Sequence, residues 1–302
     1  MMMKANFDGH VHTAASDGLF PAEEVLRRAS AAGIRCLAIT DHDRTNPDCL
    51  AQSRQSGVTV VSGAEITARA HLPGLQPFTV HLCAYFIDPL DGPLNRLLAA
   101  NRSGGGQVYL RAVLEKLDDL GIPISLKEVL AGGQGHVSRK NIARIMVRKG
   151  YVGSVQDAFR IYLGGSRPGD QKLAYVDRSA YFSFASMEDV VRHVTAAHGL
   201  VSLAHPLLYG LDDAGLRRLT AAFARCAGRA GCLECHSPAC SPRQRLALTR
   251  LAEAFDLLPT AGSDYHGEPE DRFLPGPPAI YGDLLRRAAD LYGALGEYGG
   301  AL

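Results

Sequence analysis

Residues 8–18 read DGHVHTAASDG. Two histidines, His10 and His12, stand two apart at the end of the chain's first apolar run, and Asp17 follows five residues later. Alone the pair says little, because a single histidine is more often a hydrogen-bonded core or surface residue than a ligand. In a strand, however, residues i and i+2 share a face, so such a pair can turn two imidazoles toward one ion. The reading turns on whether other strands deliver similar residues to the same place.

They do. Short apolar strand patterns alternate with helical ones, at residues 5–12, 36–40, 58–63, 78–86, 200–205, 231–236 and 257–264. A helix between the first two is marked by Pro21 at its start, by Val25, Leu26 and Ala29 on one face, and by Gly33 at its end. Repeated strand–helix units imply a parallel sheet, open or closed into a barrel. Polar residues collect at the strand ends: Asp41 and His42 in AITDHD, Glu65 in GAEIT, His81 in VHLCAY, His205 in LAHP, His236 in ECHS, and Asp264 with His266 in GSDYHG. Active sites of parallel α/β barrels lie at the C-terminal strand ends. So many imidazoles and carboxylates are costly to bury together unless something neutralises them. Divalent ions do so, and an all-nitrogen and oxygen donor set suits Mn²⁺, Fe²⁺ or Zn²⁺. His71, His136, His193 and His198 fall in loop or helix contexts and are read as ordinary histidines.

Residues 94–177 are mainly helical in pattern, with glycine joints at 104–106 and 131–135. They are read as a helical insertion between two parts of one α/β domain, 1–93 and 178–302. Within the insertion, Arg139, Lys140, Arg144, Arg148 and Lys149 form a basic cluster behind Ser138, a candidate N-cap. Backbone N–H groups at a capped helix start favour anions, so Arg139 and Arg144 are candidate phosphate contacts.

Composition sets the outer bounds. The chain has 302 residues, 46% hydrophobic and 21% charged, with a formal net charge of +1. That is ordinary for a globular protein, and no global basic field points to long nucleic acid or an anionic membrane. No apolar run spans a bilayer, and the start lacks a signal-peptide pattern. Seven scattered cysteines read as reduced thiols in a cytoplasmic protein, and Cys232 with Cys235 as a structural pair on opposite faces of a strand.

The motifs, taken in order, resemble those of the polymerase and histidinol phosphatase (PHP) family, over residues 6–90 and 188–270. SRKNIARIMVRKGYV and AFRIYLG resemble the insertion of its stand-alone phosphoesterases. The resemblance implies a distorted (β/α)7 barrel and a centre of three divalent transition metals. His10, His12, Glu65 and Asp264 would hold the first ion. Glu65, His81 and His205 would hold the second, with Glu65 bridging. Asp17, His42 and His266 would hold the third, Asp17 standing where many relatives have histidine. Asp8 and Asp41 would orient imidazoles. His205 and His236 are candidate proton donors, and His236 a candidate substrate contact.

The expected activity is hydrolysis of a small phosphate ester by a hydroxide shared between ions: a monoester, a nucleotide 3′,5′-bisphosphate or a small cyclic phosphodiester. The competing readings are C–N hydrolysis on a similar barrel, and a non-catalytic metal or nucleic-acid module.

Overall fold

In the computed structural model, residues 6–131, 138–165 and 172–293 are described; the joint at 132–135 and His136 lie outside them. Seven strands form one sheet in sequence order: β1 (Phe7–Val11), β2 (Cys36–Ile39), β3 (Thr59–Ala70), β4 (Phe78–Tyr85), β5 (Leu200–Leu203), β6 (Gly231–His236) and β7 (Leu258–Ala261). Between the first strands run α1 (Ala22–Ala31) and α2 (Asp48–Ser56). After β4 come α3 (Gly92–Arg102), α4 (Gly106–Asp119), α5 (Leu126–Ala131), α6 (Arg139–Arg148) and α7 (Val155–Ala158), the last continuing into a π-helical turn over Phe159–Leu163. Helices α8 (Met187–Ala196), α9 (Asp213–Ala227), α10 (Pro242–Ala254) and α11 (Pro278–Tyr292) complete the alternation.

The parallel sheet expected from the strand–helix rhythm is corrected at one strand. β4 runs antiparallel to both β3 and β5, while the other pairs are parallel. Only a short loop separates β3 from β4, too little for the crossover a parallel neighbour needs. β3 also runs on to Ala70 rather than stopping near residue 63, so Glu65 lies within the strand. The sheet curls without closing strand to strand. Past β7, Tyr265 accepts from His12 N (2.9 Å) and donates to His10 O (3.3 Å), while Gly276 donates to Phe7 O (3.2 Å). The result is a distorted (β/α)7 barrel, open between β7 and β1 and bridged there by the loop that follows β7.

Side-chain alternation explains how one interior holds both oil and charge. On β6, Cys232, Glu234 and His236 share parity; on β3, Val61 and Glu65 do. On β4 the same parity runs from His81 through Cys83 to Tyr85. Val61, Cys83, Tyr85 and Cys232 belong to one apolar cluster with Phe7 and Ala261. Each interior stripe therefore begins apolar and ends polar at one rim, and β4, running backwards, carries its histidine early instead of late.

Leu94 and Leu98 of α3 pack with Ile66, Val80 and Val191 of the sheet and α8. A separate apolar cluster extends from Tyr109 to Phe184, with Val113, Ile142, Met146 and Leu163 between. Leu94 and Leu98 thus pack in the sheet's cluster, apart from the cluster that starts at Tyr109. All seven cysteines are unpaired thiols. Among the described residues no helix is long and apolar enough to cross a membrane.

Candidate metal centre

The β1 strand and the turn after it are held by carboxylates outside the site. Asp41 accepts from Thr13 N (2.8 Å), Thr13 Oγ1 (2.7 Å) and Ser16 Oγ (2.6 Å). Asp8 accepts from Ser263 N (2.9 Å) and Leu274 N (2.8 Å), and burial pushes its carboxyl up to about 6. The expectation that both orient imidazoles is corrected: they fix backbone, because their oxygens are taken by loop N–H and hydroxyl groups. Asp41 reaches a histidine only through Ser16, whose Oγ lies 3.4 Å from His12 Nδ1. The His42 loop is fixed likewise. Asp43, at φ 49°, donates its N–H to Glu65 O (2.7 Å) and accepts from Thr67 N (2.9 Å), laying His42 beside β3.

Glu65 is the hub. Its Oε1 lies 2.8 Å from His81 Nδ1 and 2.9 Å from His205 Nε2. Its Oε2 lies 2.9 Å from His42 Nδ1, 3.2 Å from His12 Nε2 and 3.3 Å from His10 Nε2. Asp264 Oδ1 approaches His12 Nε2 (3.3 Å), His10 Nε2 (3.5 Å) and His266 Nδ1 (3.5 Å). Asp17 Oδ1 approaches His266 Nε2 (3.0 Å), His42 Nε2 (3.7 Å) and His12 Nδ1 (3.9 Å). The donors fall into overlapping groups small enough to surround single ions: His12, Asp17, His42 and His266; His10, His12, Glu65 and Asp264; His42, Glu65 and His81. His10, His12, Asp17, Glu65 and His266 are buried, while His42, His81, His205 and Asp264 are partly exposed at the mouth.

The donor chemistry fits divalent cations on two counts. First, His10 Nε2, His12 Nε2, His266 Nε2, Asp17 Oδ1 and Glu65 Oε2 are buried with no hydrogen-bond partner, although buried polar atoms are ordinarily paired. Second, the opposite ring nitrogens are occupied: His10 Nδ1 by Glu234 Oε2 at 2.8 Å, and His266 Nδ1 by Asp264 O at 2.8 Å. Assigned from this network, Nδ1 carries the proton and Nε2 turns a lone pair to the centre, as in metal-bound histidines.

Electrostatics agree. Burial alone would raise the Asp17, Glu65 and Asp264 carboxyls, yet adjacent imidazoles hold all three well below the usual carboxylate range. Burial opposes charge on His12 as well, but the Asp264 and Glu65 carboxylates beside it push it up to about 9. Burial brings His81 and His266 down to about 4, with Lys140 also lowering His266. The centre thus draws positive charge, which a proton or a divalent cation can supply.

The sequence pattern gave no role at the centre to three residues. Glu234 is buried and holds His10; it sits inside the quoted ECHS motif, and a carboxylate on an otherwise apolar buried strand was the available signal. With Cys83 and His10 it forms a further compact group, and burial pushes the Cys83 thiol up to about 12. Lys140 acts on Asp17, Asp264 and His266 through its charge. Arg178 lies 5.3 and 5.0 Å from the Phe182 and Phe184 ring centres, and burial, with Arg139 nearby, lowers its guanidinium. Glu234→Ala is expected to weaken metal affinity or activity by about 10–100-fold, the usual scale for a residue orienting a ligand, with Glu234→Gln recovering part of the loss. Mn²⁺ titration of both variants checks this, and wild-type affinity in the alanine variant would remove the role.

The basic helix is largely committed to the protein. Arg144 Nε donates to Glu268 Oε1 (2.7 Å), Nη2 to Asp17 O (2.7 Å) and Nη1 to Asn141 Oδ1 (3.2 Å). These bonds hold the side chain between the Asp17 loop and the Glu268 loop. Arg139 Nη1 donates to Leu163 O (2.8 Å) and the side chain lies over Phe159. His236 sits half-buried outside the donor groups, lowered by burial and Arg245. Of the ordinary histidines, His71 is exposed, His193 donates to Asp189 O and His198 stacks on Tyr292.

Residues 8–122 match the family model of the PHP domain. Over 266 residues the chain is 32% identical to the 5′-3′ exoribonuclease Rnm of Salmonella typhimurium, covering 86% of this chain and 85% of that protein. It is 28% identical over 277 residues to the 3′,5′-nucleoside bisphosphate phosphatase of Chromobacterium violaceum, covering 88% and 89%. The solved structure of an amidohydrolase from Chromobacterium violaceum with bound sulfate matches at a TM-score of 0.80 and 29% identity, covering 94% of this chain and 97% of that one. With barrel, strand-end motifs and near full-length relatives in agreement, the chain belongs to the PHP domain family.

Proposed function

We propose that this protein hydrolyses phosphate esters of nucleotides at a centre of up to three divalent transition-metal ions. One observation carries the reading: buried imidazole and carboxylate atoms without hydrogen-bond partners face one another in overlapping donor groups, two of which share Glu65. His10, His12, Glu65 and Asp264 would hold one ion; Glu65, His81 and His205 a second; Asp17, His42 and His266 a third. Bound ions supply an activated water at neutral pH and neutralise charge building on the phosphoryl oxygens.

The chain's own residues do the rest. Glu65 spans two groups and fixes their separation. Glu234, Ser16 and the Asp264 carbonyl set the imidazole tautomers. Lys140 and Arg178, with Arg139 behind, raise the local positive potential beside the donors, which favours a phosphorylated substrate over an amide. Of the two histidines considered as proton donors, His205 faces Glu65 among the ligands. His236 stands apart from the donor groups and can meet the leaving oxygen without giving up a ligand position.

The relatives named above act on a nucleotide bisphosphate and on RNA, so the substrate class is read as a nucleotide phosphate, either a small molecule or the 5′ end of a short RNA. The test is hydrolysis by Mn²⁺-loaded protein of adenosine 3′,5′-bisphosphate, a 5′-phosphorylated RNA oligonucleotide, a cyclic phosphodiester and an N-acyl amino acid. Metal-dependent turnover of a phosphate ester is expected. Turnover of the amide alone would favour C–N hydrolysis, and no turnover by metal-loaded protein would favour a non-catalytic module. On the best phosphate ester, Arg178→Ala should lower kcat/KM by about 10–100-fold, corresponding to roughly 1.5–3 kcal/mol for a hydrogen bond to a charged group, with metal content unchanged. An unaltered kcat/KM would remove Arg178 from substrate binding.

A further inference from the structure

Asp17 is gripped from the helical segment as well as by its own loop. Ser138, the residue preceding α6, donates its hydroxyl to Asp17 Oδ2 at 2.8 Å while accepting from Lys140 N at 3.0 Å. Capping the helix therefore also aims the hydroxyl proton at the carboxylate. Two turns along, Arg144 binds the Asp17 carbonyl and, through Nε, Glu268. Glu268 lies in the loop carrying His266, and Asp271 Oδ2 accepts from both Glu268 N (3.1 Å) and His266 N (2.8 Å). One helix thus fastens both loops that bring Asp17 and His266 together. Among the described residues, Glu65, His81 and His205 meet one another from β3, β4 and the end of β5, and His10 is held by Glu234 of β6.

We propose that the group of Asp17, His42 and His266 is a conditional metal site, assembled by docking of α6, whereas the group of Glu65, His81 and His205 is held by the barrel. The inference rests on the metal-centre reading above. Ser138 and Arg144 are positioning residues for the third ion, and by linkage an ion bound there must tighten α6 against the barrel by the same factor. Filling of the last site and closing of the helical segment become one event.

The test is equilibrium dialysis of chelator-treated, full-length protein against graded Mn²⁺, with bound metal measured by elemental analysis. Wild type, Arg144→Ala, Ser138→Ala and Ser138→Thr are compared, and amide exchange is followed over residues 139–148. Arg144→Ala should weaken the last ion tenfold or more and leave the tighter ions unchanged. Ser138→Ala should do the same to a smaller degree, and Ser138→Thr should restore binding. In wild type, exchange in α6 should slow only as the last ion fills. Unchanged binding of every ion in both alanine variants overturns the coupling, as does loss of all ions in parallel or exchange in α6 indifferent to Mn²⁺. Wild type that binds no Mn²⁺ overturns the metal-centre reading itself.

Discussion

Glu65→Ala is expected to lose about a thousandfold or more in kcat/KM and at least one bound ion per chain. No other side chain in the centre faces five imidazoles: His81 and His205 on one oxygen, His10, His12 and His42 on the other. Removing it leaves His81 and His205 with no carboxylate between them, and His10, His12 and His42 with only the longer approaches of Asp264 and Asp17. Metal ions contribute several kcal/mol of transition-state stabilisation, and about 4 kcal/mol corresponds to roughly a thousandfold. Glu65→Gln, which keeps one oxygen for His81 and His205 or for the opposite group, should fall between. Kinetics and elemental analysis on the same preparations decide the matter. An alanine variant with full metal and full activity would show that Glu65 bridges nothing.

Metal removal should be nearly as consequential for stability. Buried carboxylates at Asp17 and Glu65 and unpartnered imidazole nitrogens at His10, His12 and His266 are costly to keep from water. Cations that bind only the folded chain add RT ln(1 + [L]/Kd), about 2.7 kcal/mol per site at a hundredfold excess over Kd. At about 2–4 °C per kcal/mol for a chain somewhat shorter than this one, each such ion should raise Tm by roughly 5–10 °C. Scanning calorimetry of chelator-treated protein, with and without excess Mn²⁺, reads this directly. A Tm that does not respond to Mn²⁺, Fe²⁺ or Zn²⁺ would mean that these donors neutralise one another without an ion.

What could be read from the chain was what repeats locally. Strand ends carrying His, Asp or Glu after an apolar run gave away the barrel rim, because alternation of side chains is a property of each strand by itself. The reversal of β4 was not legible that way: VHLCAY has the same parity in either direction, and only the shortness of the connection from β3 argued for an antiparallel neighbour. Glu234 was hidden for a related reason. Its partner His10 lies across the barrel, so the carboxylate looked like one more residue of a cysteine-bearing strand. The basic helix was legible only in part. Its charges at four-residue spacing were visible, but spacing does not show which protein groups an arginine meets, such as the carboxylate and the carbonyl brought to Arg144 from distant loops. Arg178 had no neighbours in sequence to mark it.

The loop that bridges β7 to β1 also bears on how the protein is made. Ser263 and Asp8, bonded across that seam, are 255 positions apart, and Tyr265 is zipped to His10 and His12 beside them. Contacts of such sequence separation form late. At ribosomal speeds of about 5–20 residues per second, the first histidines wait on the order of 10–50 s for Asp264 and His266. During that time a nascent chain can present HVH, Asp17 and Glu65 to passing metals but not Asp264 or His266. Loading of the full centre is thereby a post-synthetic step, open only to a chain whose last strand has already been laid against its first.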